Sequence, residues 1–130
     1  MDITSSRTHE PFKVLDFCLP LWVYLHQVIP RLQQLAAHIV ARDPEQWSQY
    51  CAPPLKLAPR PQALTAGVLA DCLPAHLDYI LAQQRPEGFW DVTWAWSHYP
   101  EEWEVARREW RGSLTLETLT TLKAFGRMAP

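Results

Sequence analysis

The chain has 130 residues and a formal net charge of −2, with 48% hydrophobic and 20% charged residues. This length fits one domain of roughly 100 to 200 residues, and the apolar content excludes an intrinsically disordered chain. An acidic pI near 6.2 gives no basic field for a phosphate backbone, so we expect no nucleic-acid partner.

The first ten residues are polar and carry no periodic pattern. We predict a flexible leader over 1–10 and one helical domain over 11–130. No basic patch leads into an apolar run, so no secretion signal is predicted. The longest apolar stretch, residues 17–25, is far short of the roughly 20 residues that cross a bilayer. We therefore expect a cytoplasmic protein that is not transmembrane.

Residues 11–50 show the pattern of helices with one buried face. Apolar residues recur at steps of three and four from residue 12 to residue 40. Pro20 and Pro30 interrupt this pattern, and each removes a backbone donor from a helix interior. We predict helix breaks or kinks at both prolines.

A helix start and a proline-rich connection follow. Asp43-Pro44-Glu45-Gln46 combines an N-cap carboxylate, proline at the first helical position and a glutamine placed for a capping box. It predicts a short helix that carries Trp47 and Tyr50. Residues 51–61 contain four prolines, which favour an extended connection and exclude an ordinary helix.

The third part of the domain, residues 62–130, begins with another helical pattern from Gln62 to Gln84. Pro74 is its predicted break. Its inward face is predicted to consist of five aliphatic residues, namely Leu69, Leu73, Leu77, Ile80 and Leu81.

The end of this helix carries a distinctive spacing. Tyr79 and Ile80 precede Gln84 by about one turn, and Gly88 and Trp90 follow it. Gly88 permits the positive φ of a tight reversal, which returns the indole towards the amide. This spacing resembles the glutamine-tryptophan (QW) motif of triterpene cyclases and related α/α-toroid proteins. In that family the motif is a structural brace, so the resemblance implies an architectural role for these five residues.

The segment after Gly88 changes from helical to alternating periodicity. Trp90, Val92, Trp94 and Trp96 are predicted on one side of an extended strip. Residues 100–111 then predict a helix with acids in its first turn and arginines in its last, stopped by a left-handed Gly112. Because glutamates share this helix with the arginines, we interpret its charges as a solvated face.

A final helix is predicted after Ser113 or Thr115 and ends at Gly126. Its predicted buried stripe is Leu116, Leu119, Leu122 and Phe125. From Leu77 through Arg127 the order of these features resembles proteins with prenyltransferase and squalene-cyclase type repeats. The resemblance implies an all-α fold, a partial α/α toroid of about five to seven helices with a tryptophan-rich extended loop.

The motifs that carry chemistry in the resembled families are absent from the sequence. It contains neither the Asp-x-Asp-Asp acid motif nor an aspartate-rich magnesium motif. The nearest imitation of a zinc site is Asp71, Cys72 and His76, but adjacent helical residues point about 100° apart. We predict no metal and no cofactor. Cys18, Cys51 and Cys72 form no Cys-x-x-Cys pair and are interpreted as reduced thiols.

Two hypotheses of function remain open. In the first, Trp94, Trp96, Tyr99 and Trp103 line a cleft that binds an apolar, isoprenoid-like ligand. The ionisable residues near that cleft, and hence the candidate catalytic residues, are Asp91, His98 and Glu102. An acid role for Asp91 would require burial to raise its pKa, whereas the simpler interpretation is a loop carboxylate that caps a backbone amide.

In the second hypothesis the protein is non-catalytic and structural. Because 130 residues cannot close a full toroid, an open apolar edge would bind another copy of the chain or a larger protein. Both hypotheses predict a partner, either an apolar small molecule or a protein.

Overall fold

The computed structural model describes residues 21–23 and 25–129. These residues contain four α-helices and no strand, which confirms the all-α class. The helices are α1 (residues 21–23 and 25–39), α2 (Pro54–Leu57), α3 (Leu73–Ala82) and α4 (Pro100–Ala124), with a 3₁₀ turn at Pro44–Gln46. Five to seven helices and a toroid arrangement were expected, and both stay predictions.

Helix α1 continues through Pro30, so the predicted break does not occur there. Proline removes a single hydrogen bond, and Pro30 is exposed, so this loss lies at a solvent-accessible position of the helix. The predicted leader, Cys18 and the predicted break at Pro20 lie outside the described residues.

The predicted Asp43 cap after α1 is confirmed. The predicted short helix, however, is a single 3₁₀ turn, Pro44–Gln46. Asp43 accepts a hydrogen bond from the Glu45 backbone N–H at 3.0 Å, and Pro44 takes the first position. Trp47 ends the turn and is buried, with its Nε1–H donating to the Ala41 carbonyl at 2.7 Å. Tyr50 is fully exposed. The turn therefore fixes the indole of Trp47 against the end of α1.

The proline-rich connection contains a helix that the sequence pattern excluded. Helix α2 has Pro53 as its N-cap and Pro54 at its first position. A backbone N–H at either position would have no hydrogen-bond acceptor within the helix, so proline costs nothing there. These two prolines therefore start the helix rather than prevent it. Leu55 is buried and Lys56 is exposed, so this single turn presents one apolar and one charged side chain.

Residues 62–72 form successive turns instead of the predicted helix, and regular α-helix begins only at Leu73. Pro74 lies in the first turn of α3, where a proline needs no hydrogen-bond acceptor, so its predicted role as a break is wrong. The predicted inward face is confirmed: Leu69, Leu73 and Leu77 are buried, and Ile80 and Leu81 pack against them.

Helix α4 is one continuous helix of 25 residues, which corrects the two helices expected there. Gly112 does not take a left-handed conformation, whereas Gly126 does, at φ +67°, and ends the helix as predicted. Leu116 and Leu122 are separated by six residues, or about 240° around the helix axis. Leu122 is buried and Leu116 is 69% exposed, so Leu116 does not belong to the buried stripe.

The core lies where the end of α1, α2, α3 and the second half of α4 meet. Its buried members are Val40, Leu55, Ala58, Leu69, Cys72, Leu73, Leu77, Trp90 and Leu122. Burial raises the pKa of the Cys72 thiol, and both described cysteines are free. No helix in the described part of the chain is long and apolar enough to cross a membrane.

Candidate functional site

A cleft of about 260 Å³ opens between α2, α3, α4 and the reversal that follows α3. Its apolar wall is formed by Trp47, Leu55, Ile80, Trp90, Val92, Leu114 and Leu122. Polar groups from the same elements line its remaining sides. The cleft is smaller than most drug-sized pockets, which start near roughly 300 Å³.

The reversal after α3 places Trp90 in this wall. Gly88 has φ +95°, which confirms the left-handed conformation expected there. The Trp90 indole N–H donates to the Ile80 carbonyl at 2.8 Å, and its backbone N–H donates to Thr115 Oγ1 at 3.1 Å. The Gln84 amide donates to the Gly88 carbonyl at 3.1 Å and so braces the turn itself. The indole thereby satisfies a carbonyl at the end of α3 and joins that helix to α4.

Asp91 lies beside the cleft and is held by two arginines of α4. Arg111 binds it through two bonds, Nε to Oδ1 at 2.8 Å and Nη2 to Oδ2 at 2.9 Å. Arg107 donates to the same carboxylate at 2.9 Å and 3.4 Å. The Asp91 side chain is only 10% exposed, and the Arg107 and Arg111 side chains are 34% and 32% exposed, so this pairing is partly buried. The interpretation of Arg107 and Arg111 as part of a solvated face is therefore wrong.

The bonds around Asp91 determine its protonation. The Arg111 hydrogen bond, with Arg107 and the Val92 backbone N–H, holds the pKa of Asp91 well below its usual range despite its burial. The Val92 bond confirms the amide-capping interpretation. The acid role required a raised pKa, so it is contradicted, and Asp91 is a carboxylate at neutral pH.

His76 is the buried ionisable group of the cleft. It is 4% exposed, and its Nδ1 accepts a hydrogen bond from the Leu55 backbone N–H at 3.2 Å. Its ring lies 4.6 Å from the Trp47 ring and stacks on Tyr79 at 5.9 Å. Burial lowers the pKa of His76 to about 4, so the ring is neutral at physiological pH. Because Nδ1 is an acceptor, the neutral ring carries its proton on Nε2.

Charged side chains stand at the rim. Lys56 of α2 and Glu117 of α4 form an ion pair at 2.7 Å, with both side chains more than half exposed. Arg85 also lines the cleft and lies 4.0 Å from Asp91. Asp91 already accepts closer hydrogen bonds from Arg107 and Arg111, so Arg85 makes the longest of the three arginine contacts with this carboxylate.

The tryptophans predicted to form a ligand cleft lie along the first half of α4. Trp94 packs on Trp110 with ring centroids 5.6 Å apart, and Trp96 packs on Trp103 at 5.2 Å. Trp103 is buried, whereas Trp94 and Trp96 are nearly half exposed. Tyr99 is exposed and takes a left-handed conformation at φ 58°. None of these four residues lines the 260 Å³ cleft.

The other predicted candidates lie outside this cleft, and Trp96, His98 and Tyr99 line a separate, shallow depression. His98 and Glu102 are exposed, and neither lines the cleft that contains Asp91. Asp71 pairs with Arg42 at 3.0 Å, away from the bond that His76 makes to α2. Among the described residues, no group of three or more His, Cys, Asp or Glu side chains is arranged to hold a metal ion.

Sequence reasoning placed Trp90 in the architecture but missed His76, Trp47 and Arg85 as members of one site. For His76 a signal was present, because it lies three residues after Leu73 and four before Ile80, on the inward face of α3. Trp47 and Arg85 gave no comparable signal, because each belongs to a loop. Comparisons with known protein families, with curated proteins and with solved structures found no match for this chain.

Proposed function

We propose that the protein binds a small, mainly apolar molecule in the 260 Å³ cleft. The observation that carries this proposal is a concave wall of two indoles and several aliphatic side chains, contributed by the 3₁₀ turn, α2, α3, α4 and the reversal. At about 30 Å³ for each water-sized unit, the volume suits on the order of ten non-hydrogen atoms. A short isoprenoid-like or fatty chain has this size.

The charges beside the cleft favour a ligand with an acidic head group. Asp91 faces three guanidinium groups, and Glu104 lies 3.8 Å from Arg107, so these ion pairs contain three positive and two negative side chains. Arg85 contributes the longest of these contacts, and its side chain is 57% exposed. Its guanidinium is available for a carboxylate or phosphate at the mouth of the cleft, where arginine forms paired hydrogen bonds.

The protonation states of the ionisable groups at the cleft are consistent with ligand binding and argue against acid-initiated catalysis. Asp91 and His76 are the ionisable groups set most deeply at the cleft, and each has a lowered pKa. At neutral pH Asp91 is therefore charged and His76 is neutral, so neither presents the carboxylic or imidazolium acid that would protonate an alkene. We infer a carrier or sensor of a small acid.

The first measurement is native mass spectrometry of the purified protein, which detects a retained ligand directly. Thermal unfolding with octanoate and with 1-octanol then separates the contribution of the ligand's apolar chain to binding from that of its acidic head group. We expect octanoate to raise Tm more than octanol does, because only octanoate has a charge to pair with Arg85.

Two pairs of variants test the location. Arg85→Gln removes the proposed anion contact, while Arg108→Gln removes an exposed charge that does not line the cleft. Thr118→Phe places a ring in the cleft, while Thr120→Phe places it on an exposed position of the same helix. We expect Arg85→Gln and Thr118→Phe to reduce the rise in Tm caused by octanoate, and Arg108→Gln and Thr120→Phe to leave it unchanged. Equal shifts in Thr118→Phe and the unmodified protein would refute binding in this cleft.

A further inference from the structure

Helix α1 carries a row of exposed aliphatic side chains that its own domain does not cover. The row consists of Leu21, Leu25, Val28, Leu32, Leu35 and Ile39, which we call the α1 seam. Five of these side chains are between 43% and 53% exposed, and Val28 is partly exposed. Exposed leucines at random positions are ordinary, but a continuous apolar patch usually marks an interface.

The spacing within the α1 seam is four, three, four, three and four residues. This is the alternation of a heptad repeat, in which positions a and d meet a second helix of the same period. Leu25, Leu32 and Ile39 occupy a positions, while Leu21, Val28 and Leu35 occupy d positions. Pro30 falls at position f, opposite the seam, and so does not obstruct contact with another helix.

The domain side of α1 is a different face. Ala36 and Val40 are buried, and the Gln33 amide donates to the Leu64 carbonyl at 2.8 Å. At about 100° per residue, this docked face is centred roughly 90° around the helix from the seam. The helix is thereby anchored to its domain while the seam stays accessible.

The size and charge of the seam suit a second copy of this chain. With Trp22, which is 66% exposed beside it, the seam presents roughly 600 Å² of surface, so pairing two copies would bury on the order of 1,200 Å², the lower end of stable interfaces. Arg31 occupies position g, and the e positions, Trp22, Ile29 and Ala36, carry no charge, so no like charges meet across the seam of a parallel pair.

We propose that the protein forms a homodimer in which two α1 helices pair in parallel through the α1 seam. Each a or d side chain would insert between four residues of the facing helix and so leave water. This proposal is independent of ligand binding, because no residue of the seam lines the 260 Å³ cleft.

The test is analytical ultracentrifugation of the full chain over a range of concentrations. We expect the unmodified protein to sediment as a dimer and Leu32→Lys to weaken association at least about tenfold, because it places a charge in the centre of the seam. Leu35→Gln is a second, uncharged variant with the same expected direction. Leu116→Lys is the matched control, since Leu116 is exposed on α4 outside the seam, and it is expected to remain dimeric.

Circular dichroism of each variant establishes that the helices persist, so that loss of the dimer is not loss of the fold. A monomer at the highest concentration of the unmodified protein would overturn the proposal. A Leu32→Lys protein that stays dimeric as tightly as the unmodified protein would also overturn it, since the contact would then lie elsewhere.

Discussion

Lowering the pH should destabilise the fold through His76. The folded-state pKa of His76 is about 4, below the ordinary value of 6.5, so the unfolded chain binds the proton more tightly. The stability linked to this residue is complete above pH 6.5 and falls as the pH drops from 6.5 towards 4. The full difference is about 3 kcal/mol, of which about 2.5 kcal/mol is lost by pH 4.5.

The structural origin of this loss is the environment of the ring. Protonating Nδ1 would place a donor opposite the Leu55 N–H, which already donates to that nitrogen at 3.2 Å. The charge would also lie in a buried site next to the Trp47 and Tyr79 rings. Both effects oppose the imidazolium in the folded state alone.

The assay is urea unfolding followed by tryptophan fluorescence at several pH values between 7.5 and 4.5. His76→Asn keeps an acceptor oxygen near the position of Nδ1 and does not titrate, so we expect its free energy of unfolding to change less over this range than that of the unmodified protein. His98→Asn alters an exposed histidine and should keep the original slope. If His76→Asn showed the same pH dependence as the unmodified protein, the assignment of this loss to His76 would be refuted.

Three further substitutions test the packing and the ion pairs. Asp91→Asn leaves two arginines of α4 without their carboxylate and should cost about 2 kcal/mol in urea unfolding, whereas Asp78→Asn, in an exposed pair, should cost less than about 1 kcal/mol. Gly88→Ala forces a Cβ into a φ of +95° and should lower the free energy of unfolding by about 1 kcal/mol, an effect visible as a lower Tm. Leu122→Ala should cost about 2 to 5 kcal/mol because this side chain is 1% exposed, while Leu116→Ala, at 69% exposed, should have little effect on the urea midpoint. Similar midpoints for the two leucine variants would contradict the placement of Leu122 in the core and of Leu116 at the surface.

Features that depend on neighbours along the chain could be predicted well. The Asp43 cap, the left-handed Gly88 and Gly126, and the inward face of α3 all follow from backbone geometry or from the 3.6-residue period. Each involves residues within about one or two helical turns, so the sequence contains the whole interaction.

Prediction from local sequence failed at Gly112, where tertiary packing outweighed the weak preference of glycine for a helix end. Gly112 has the freedom to end a helix, but continuing the helix costs only about 1 kcal/mol relative to alanine. Burial of Trp103 on one side of Gly112 and Leu122 on the other exceeds that cost, so α4 stays whole. Within this helix Leu116 lies at the surface and Leu114 lines the cleft.

The sequence by itself determined the helical class, the caps at Asp43 and Gly126, and the reversal that returns Trp90, because these are short-range properties of the backbone. Only the tertiary structure decided that Asp91 is held by Arg107 and Arg111, and that His76 lies against Trp47 beside Leu55. These partners are separated by 16 to 29 residues in sequence. Their meeting depends on how α2, α3 and α4 pack, since a periodic pattern shows which face of a helix is buried but not which other face it contacts.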